Sequence, residues 1–322
     1  MNRRELLTLG MIAVLPSKVA AQQPARRLGV LSVTAADDAI GQTRSMVLVE
    51  ALAGHGWKER DNLKIDWRSG GGDRARIAEL ANELIALKPD ILLAVGTPSV
   101  EELRRRTATI PIVFAVVTDP VSQGFVENLA HPGGNVTGFT DYDGPLAGKW
   151  LEMLTQVTPP VRRVFVVYNP DTAPFASLML RTIEDAARTL HVAVEPAPVN
   201  DAGAIAALAT RRDGGFLVLP DFFTMANRTQ LLAAIGEARL PAVFWSRTFV
   251  GEGGLMAYST DSTEQLRRAA DYIDRILKGA RPADLPVQNP TRFELTINLK
   301  AAEALGITLP AGLLAIANDV IE

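Results

Sequence analysis

The chain alternates short, continuously apolar runs with longer amphipathic segments, and this alternation restricts its fold more than any other feature. Residues 90–95 and 112–117 are, apart from Asp90, runs of apolar residues, which are typical of strands buried on both faces of a parallel sheet. Before the first of these runs, residues 73–87 repeat apolar side chains at a helical period of 3.6. Parallel strands joined by helices require right-handed crossovers, so the sequence predicts a doubly wound α/β sheet.

The same alternation occurs a second time after a turn-rich stretch at residues 131–135. In this second unit the expected strands are 164–168, 192–194, 216–219 and 242–245. Residues 255–322 follow these two repeats, and we expect them to cross between the units through several connecting strands. The predicted fold is therefore two doubly wound parallel-sheet lobes hinged around a ligand cleft, with lobe 1 formed by residues 28–140 plus about 252–282 and lobe 2 by residues 141–251 plus about 283–322.

The first 21 residues have the three-part layout of a secretory signal peptide. Arg3 and Arg4 give a basic start, Leu6 to Leu15 is mostly apolar, and Val19-Ala20-Ala21 supplies small residues for cleavage near Ala21. A mostly apolar stretch of ten residues is too short to span a bilayer. We therefore expect a soluble mature protein in the periplasm, exported by either the general or the twin-arginine route.

Several classes of function are excluded or disfavoured by what the chain contains. It has no cysteine, so disulfides, thiolate catalysis and cysteine-ligated zinc are excluded. Its net charge of −3 disfavours a nucleic-acid surface, and His55, His131 and His191 show no metal-ligand spacing. No Gly-x-Ser-x-Gly nucleophile motif is present. We expect no catalytic residue, no metal and no cofactor, and hence a protein that is not an enzyme.

Polar and aromatic side chains gather where the predicted strands end, which is where an open α/β sheet binds its ligand. The hydroxyls and backbone N–H groups at Gly96 to Ser99 are suited either to carboxylate oxygens or to ordinary helix capping. Asp119 suits either a ligand donor or a turn cap, and the aromatic residues suit either stacking on a flat ligand or core packing. The candidate ligand-binding residues are Thr34, Gly96, Thr97, Pro98, Thr118, Asp119, Tyr168, Asn169, Asp221, Phe222, Trp245, Arg247 and Tyr258.

Several of these segments also carry a family resemblance. They are Gly96-Thr97-Pro98, Ile110 to Phe114 with Thr118-Asp119-Pro120, His131 to Gly138, Tyr168-Asn169-Pro170 and Ile297 to Lys300. In order and spacing they resemble the ABC-transporter substrate-binding proteins that include periplasmic tryptophan and aromatic amino-acid binders. The resemblance implies a class I periplasmic-binding-protein fold that closes on a small molecule and delivers it to an ABC permease in the inner membrane. From the charge balance we expect no nucleic-acid partner, and we expect a monomer.

The chain departs from that family at two strand ends. Aromatic amino-acid binders that it resembles have Thr-Asp-Asn where this chain has Asp221-Phe222-Phe223, and an acid near Trp245-Ser246-Arg247. Because a guanidinium prefers carboxylates, Arg247 favours an aromatic or aliphatic acid over an amino acid. The alternatives are an aromatic amino-acid binder, a periplasmic ligand sensor for a receptor, and an exported hydrolase.

Overall fold

The computed structural model describes residues 25–142 and 144–322, so the expected signal peptide at residues 1–21 lies outside the described residues. The elements of the first half are β1 (Arg26–Ser32), α1 (Ala39–Gly54), β2 (Leu63–Ser69), α2 (Arg74–Ala86), β3 (Ile91–Val95), α3 (Thr97–Arg106), β4 (Ile112–Val117) and β5 (Val136–Thr140). Those of the second half are α4 (Gly144–Thr155), β6 (Arg163–Tyr168), α5 (Ala176–Leu190), β7 (Ala193–Pro198), α6 (Ala202–Ala207), β8 (Gly215–Val218), α7 (Phe222–Ala226), α8 (Arg228–Ala238), β9 (Ala242–Phe244), α9 (Arg247–Gly251), β10 (Met256–Thr260), α10 (Ser262–Leu277), β11 (Phe293–Asn298), α11 (Leu299–Leu305), α12 (Ala311–Ala315) and β12 (Asp319–Ile321).

Lobe 1 is built on a five-stranded sheet in the order β2-β1-β3-β4-β5, and all of its neighbouring strands are parallel. Every residue of β3 and β4 is buried, as the continuous apolar runs predict, because helices cover both faces of this sheet. Two of the helices begin at capping carboxylates: Asp38 accepts from the Gly41 amide at the start of α1, and Asp73 accepts from two amides at the start of α2. The doubly wound sheet expected for this lobe is confirmed.

Lobe 2 repeats that strand order and extends it. Its seven-stranded sheet runs β12-β11-β10-β9-β8-β6-β7, in which β7-β6-β8-β9-β10 reproduces the order of lobe 1. These five strands are parallel, whereas β11 is antiparallel to β10. Within each lobe the direction of chain winding reverses between the first and third strands, which is the point at which open α/β sheets bind ligands.

Three segments connect the lobes. The chain passes from β5 to α4, returns from β10 to α10, and crosses again between residues 285–289 and β11. Helix α10 packs on lobe 1, where Leu266 and Ile273 belong to the same apolar cluster as Leu28. The segment expected at about 252–282 in lobe 1 is therefore divided, because β10 lies in the sheet of lobe 2. Residues 285–289, expected in lobe 2, instead bond to β5 through Thr137 and Thr140.

Candidate functional site

A cavity of about 420 Å³ lies between the lobes, at the carboxyl ends of their strands. Lobe 1 contributes the loop after β1 and the first turns of α1, whereas lobe 2 contributes α7 and the residues that follow β9 and β10. The space continues past Phe222 and Met225 into a second cavity of about 430 Å³ that reaches Gly71 and Gly72. Both are therefore parts of one interlobe cleft, and their size suits a small organic molecule.

Phe222, a residue of lobe 2, reaches across this cleft. It packs against two apolar clusters of lobe 1, whereas its neighbour Phe223 packs against the core of lobe 2. Gly96 permits this approach: with a φ of +94°, any Cβ placed there would lie 3.0 Å from Cε2 of Phe222 and 2.8 Å from Cγ2 of Val33. The two lobes therefore touch directly through this ring.

Asp221 joins two strand ends of lobe 2. Its carboxylate accepts from the Asn169 amide at 2.8 Å, from the Thr172 hydroxyl at 2.5 Å and from the Phe223 amide at 2.9 Å. Burial raises the pKa of Asp221 to about 6, although these hydrogen bonds act to lower it. Because its acceptor atoms are used within the protein, Asp221 supports the shape of the site.

A buried polar network joins two of the crossing segments below the cavity. Asp141, which follows β5, accepts hydrogen bonds from the Thr260 hydroxyl and from Nε2 of Gln265 at 3.0 Å. Oε1 of Gln265 accepts from the amide of Val116, which stands at a strained φ of +59° for a β-branched residue. Burial raises the pKa of Asp141, and Arg44 opposes this through its charge. The network fixes the geometry with which the lobes meet.

Arg44 is the most unusual charged residue of the site. It is only 8% exposed and lines the cavity, and its Nε donates to the Ser262 hydroxyl at 3.1 Å. No acceptor for its two terminal nitrogens is found among residues 25–142 and 144–322. Burial lowers the pKa of Arg44 while Asp141 and Asp38 raise it, and a guanidinium remains protonated at neutral pH.

Trp245 forms part of the opposite wall of the cavity. It is 5% exposed, and its backbone oxygen accepts from the Tyr142 hydroxyl at 2.5 Å. Its indole Nε1–H is buried and has no acceptor within the described part of the chain. A buried donor without an acceptor is costly, and because this nitrogen is shielded from solvent, it is not open to the cavity.

The structure brings four of the thirteen candidate residues to the 420 Å³ cavity. These are Thr34, Phe222, Trp245 and Arg247. Eight of the others lie at or just after strand ends but outside its lining as described: Gly96, Thr97, Pro98, Thr118, Asp119, Tyr168, Asn169 and Asp221. Tyr258 also lies outside the lining, in the middle of β10. Tyr258 stacks instead on Phe293, with ring centroids 5.5 Å apart, and Asp119 caps a turn through the Ser122 amide.

The expectation that Arg247 binds a ligand anion loses its support in the structure. Its side chain is 59% exposed and pairs with Asp319 at 3.2 Å and with Glu294 at 3.7 Å. Both carboxylates come from β11 and β12, strands that extend the sheet beyond the order of lobe 1. The guanidinium is therefore already neutralised, and the argument that it disfavours an amino acid no longer holds.

Sequence reasoning did not identify several residues that line the cavity. They are Asp38, Arg44, Met225, Asp261 and Glu294. One signal was present for Arg44, because it shares a helix face with Leu48 and Leu52, at spacings of four and eight residues. A charged residue in phase with buried leucines indicates a special environment.

Two sheets of the same strand order, joined by three crossings and meeting over a cavity at their strand ends, define the periplasmic-binding-protein-like fold. A family model described as ABC transporter substrate binding protein matches residues 30–321. The chain belongs to this family. It is a substrate-binding component of an ABC transporter, and it is not an enzyme. Among the described residues, no helix is long and apolar enough to cross a membrane.

Similar proteins of known sequence or structure agree with this assignment. The chain is 27% identical to a tyrosine-binding protein of Clostridioides difficile over 262 residues, which cover 80% of this chain and 74% of that protein. It is similar to the ABC domain in complex with L-Trp from Streptococcus pneumonia, with a TM-score of 0.85, 26% identity, and coverage of 92% and 100%. A conserved domain protein from Vibrio cholerae gives a TM-score of 0.85 at 29% identity, with coverage of 92% and 99%.

Proposed function

We propose that this protein binds an aromatic amino acid or a close analogue in the interlobe cavity and presents it to an inner-membrane ABC permease. The residues that line this cavity carry the proposal, because Phe222, Met225 and Trp245 form an apolar wall opposite polar groups of lobe 1. Flat apolar surfaces beside a few polar groups are typical of sites for aromatic ligands. The tyrosine-binding relative and the L-Trp complex support this class of ligand.

The same proposal places the protein in the periplasm. The basic, apolar and small-residue sections of residues 1–21 support export, and a substrate-binding component must meet its permease outside the inner membrane. Release of the ligand then requires that the lobes separate, because Phe222 bridges them.

Isothermal titration calorimetry of the mature protein, residues 22–322, tests the proposed ligand class. L-tryptophan, L-tyrosine and L-phenylalanine are titrated beside L-leucine and glucose as controls. We expect at least one aromatic amino acid to bind with micromolar or tighter affinity and the controls to bind far more weakly. Absence of binding by all three aromatic amino acids at millimolar concentration would contradict the proposal.

Two aromatic substitutions locate the bound molecule. Trp245→Phe replaces the indole in the cavity wall by a smaller ring and should weaken binding several-fold. Tyr258→Phe is the matched control, because Tyr258 also follows the expected strand-end pattern but stacks on Phe293 outside the cavity lining. Equal effects of the two substitutions would show that the ligand binds elsewhere.

A further inference from the structure

The charges that line the interlobe cavity are of both signs, and they differ in how far the protein itself satisfies them. Two guanidiniums and three carboxylates line it: Arg44, Arg247, Asp38, Asp261 and Glu294. Arg247 and Glu294 lie 3.7 Å apart, and each has a further partner of opposite charge. This pair is therefore neutralised, and it leaves Arg44, Asp38 and Asp261 as the charges able to meet a ligand.

Arg44 is poised to receive an anion. The residue is 8% exposed, and within the described part of the chain one hydrogen bond holds its guanidinium, from Nε to the Ser262 hydroxyl. Within the described residues no carboxylate lies within 4.0 Å of it, although Asp141 and Asp38 stabilise its charge from farther away. Burying a charge without direct hydrogen bonds is unfavourable, and a carboxylate placed in the cavity would supply two such bonds to the terminal nitrogens.

Asp38 and Asp261 each present one oxygen that the protein does not use. Oδ1 of Asp38 accepts from the Gly41 amide at 2.8 Å, and Oδ1 of Asp261 accepts from the Thr263 amide at 2.9 Å. Among residues 25–142 and 144–322 no donor is bonded to Oδ2 of either one. Burial alone would raise the pKa of Asp261, but the hydrogen bonds from Thr263 and Glu264 outweigh it and hold the pKa below its ordinary value.

The positive and negative groups are neighbours in the fold. Ser262, which accepts the hydrogen bond from Arg44, directly follows Asp261 at the start of α10. Asp38 caps the helix that carries Arg44. The site therefore offers the terminal nitrogens of Arg44 to a carboxylate and two carboxylate oxygens to an ammonium group.

We propose that Arg44 binds the ligand's carboxylate and that Asp261, assisted by Asp38, binds its ammonium group, so that the cavity selects a zwitterionic α-amino acid. This inference rests on the proposed function and assigns the specificity within that site. An acid without an amino group would leave the two aspartates unneutralised, and an amine without a carboxylate would leave Arg44 unpaired. Either loss is unfavourable, since Arg44 is buried and both aspartates are half-buried.

Calorimetry with matched probes tests this assignment on the mature protein. The probes are L-tryptophan, tryptamine, which lacks the carboxylate, and indole-3-propionate, which lacks the ammonium group, with L-tyrosine, tyramine and 3-(4-hydroxyphenyl)propionate as a parallel set. A lost hydrogen bond between charged groups weakens binding about tenfold to hundredfold. We expect each truncated probe to bind weaker than its amino acid by this factor.

Substitutions then assign each half of the recognition. Arg44→Gln should weaken amino-acid binding about tenfold to hundredfold and remove the preference over the amine. Asp261→Asn should remove the preference over the acid. Arg247→Gln is the matched control, because this second cavity arginine is already paired, and it should leave both preferences unchanged. Thermal unfolding verifies that each variant folds. If Arg44→Gln does not fold, Arg44→Lys replaces it, because lysine keeps the positive charge but lacks the planar guanidinium that binds a carboxylate through two hydrogen bonds.

The possible failures are distinguishable. If the amine or the acid binds as tightly as the amino acid to the wild-type protein, the zwitterion assignment is wrong while aromatic binding stands. If the preferences persist in Arg44→Gln, another group binds the carboxylate. If no member of either probe set binds, the proposed function and this inference both fail.

Discussion

Replacing Phe222 by alanine should open the cleft without weakening either lobe. The ring belongs to lobe 2, but it packs on apolar clusters of lobe 1, so its contacts exist only while the lobes are together. Burying a whole phenylalanine side chain contributes about 1.5–3 kcal/mol. Because this ring is only partly buried, we take about 1–2 kcal/mol as the loss to the closed state. The ratio of closed to open molecules should therefore fall about five- to thirtyfold.

The chain lacks cysteine, so spin labels can be attached at introduced cysteines without background. Glu79→Cys on α2 and Asp185→Cys on α5 place one label on each lobe, at side chains that are 66% and 69% exposed. Electron–electron distance measurements on the ligand-free protein then give the closed and open populations. Phe223→Ala is the matched control, since Phe223 packs within lobe 2. The reasoning fails if Phe222→Ala leaves the populations unchanged or if Phe223→Ala shifts them equally.

Three further substitutions, with one control, test the packing and the buried polar groups by urea unfolding. Gly138→Ala would place a Cβ 2.1 Å from a backbone oxygen of β4 and should destabilise the protein by about 3 kcal/mol or more, whereas Gly54→Ala, which meets nothing within 4 Å, should not destabilise it. The native pKa of Asp221, about 6, exceeds its unfolded value of 3.8, so the native state binds the proton more tightly and this group's contribution falls as the pH rises between those values. Wild-type stability relative to Asp221→Asn should therefore be about 2 kcal/mol greater at pH 4 than at pH 7, and a difference independent of pH would contradict the assigned pKa. Thr260→Val removes the hydroxyl that donates to buried Asp141 and should cost about 1.5–3 kcal/mol; an unchanged urea midpoint would show that the network contributes nothing.

The elements predicted best are those whose sequence pattern and final environment agree. The run at 112–117 became β4 with every residue buried, and the 3.6-residue period at 73–87 became α2, Arg74–Ala86. By contrast, β5 and α4 were not anticipated. β5 reads Val-Thr-Gly-Phe-Thr and follows a glycine-rich turn, so its burial depends on the neighbouring β4 and on α10 rather than on an apolar run.

The lobe boundaries show a related limit. Local pattern correctly predicted a strand near 255–258 and a helix at 263–277, but it does not state which sheet each element joins. β10 extends lobe 2 beside β9, while α10 covers lobe 1. That division is decided by which exposed sheet edge and which apolar face remain available after the rest of each lobe has formed, and both are properties of the tertiary structure.

The two arginines of the cavity show why the site was only partly predictable. The strand-end rule selects Arg247 by its place after β9, but whether a guanidinium can bind a ligand depends on the carboxylates around it. Strands β11 and β12 bring Glu294 and Asp319 to Arg247 from about 50 and 70 residues away. Arg44 lies on a helix, and the strand-end rule does not consider helical residues. Its helical spacing nevertheless places it on the same buried face as Leu48 and Leu52, so its charge lies inside the protein. A buried charge without a direct partner among the described residues is more informative than an exposed one at the expected position, because its cost requires a compensating interaction.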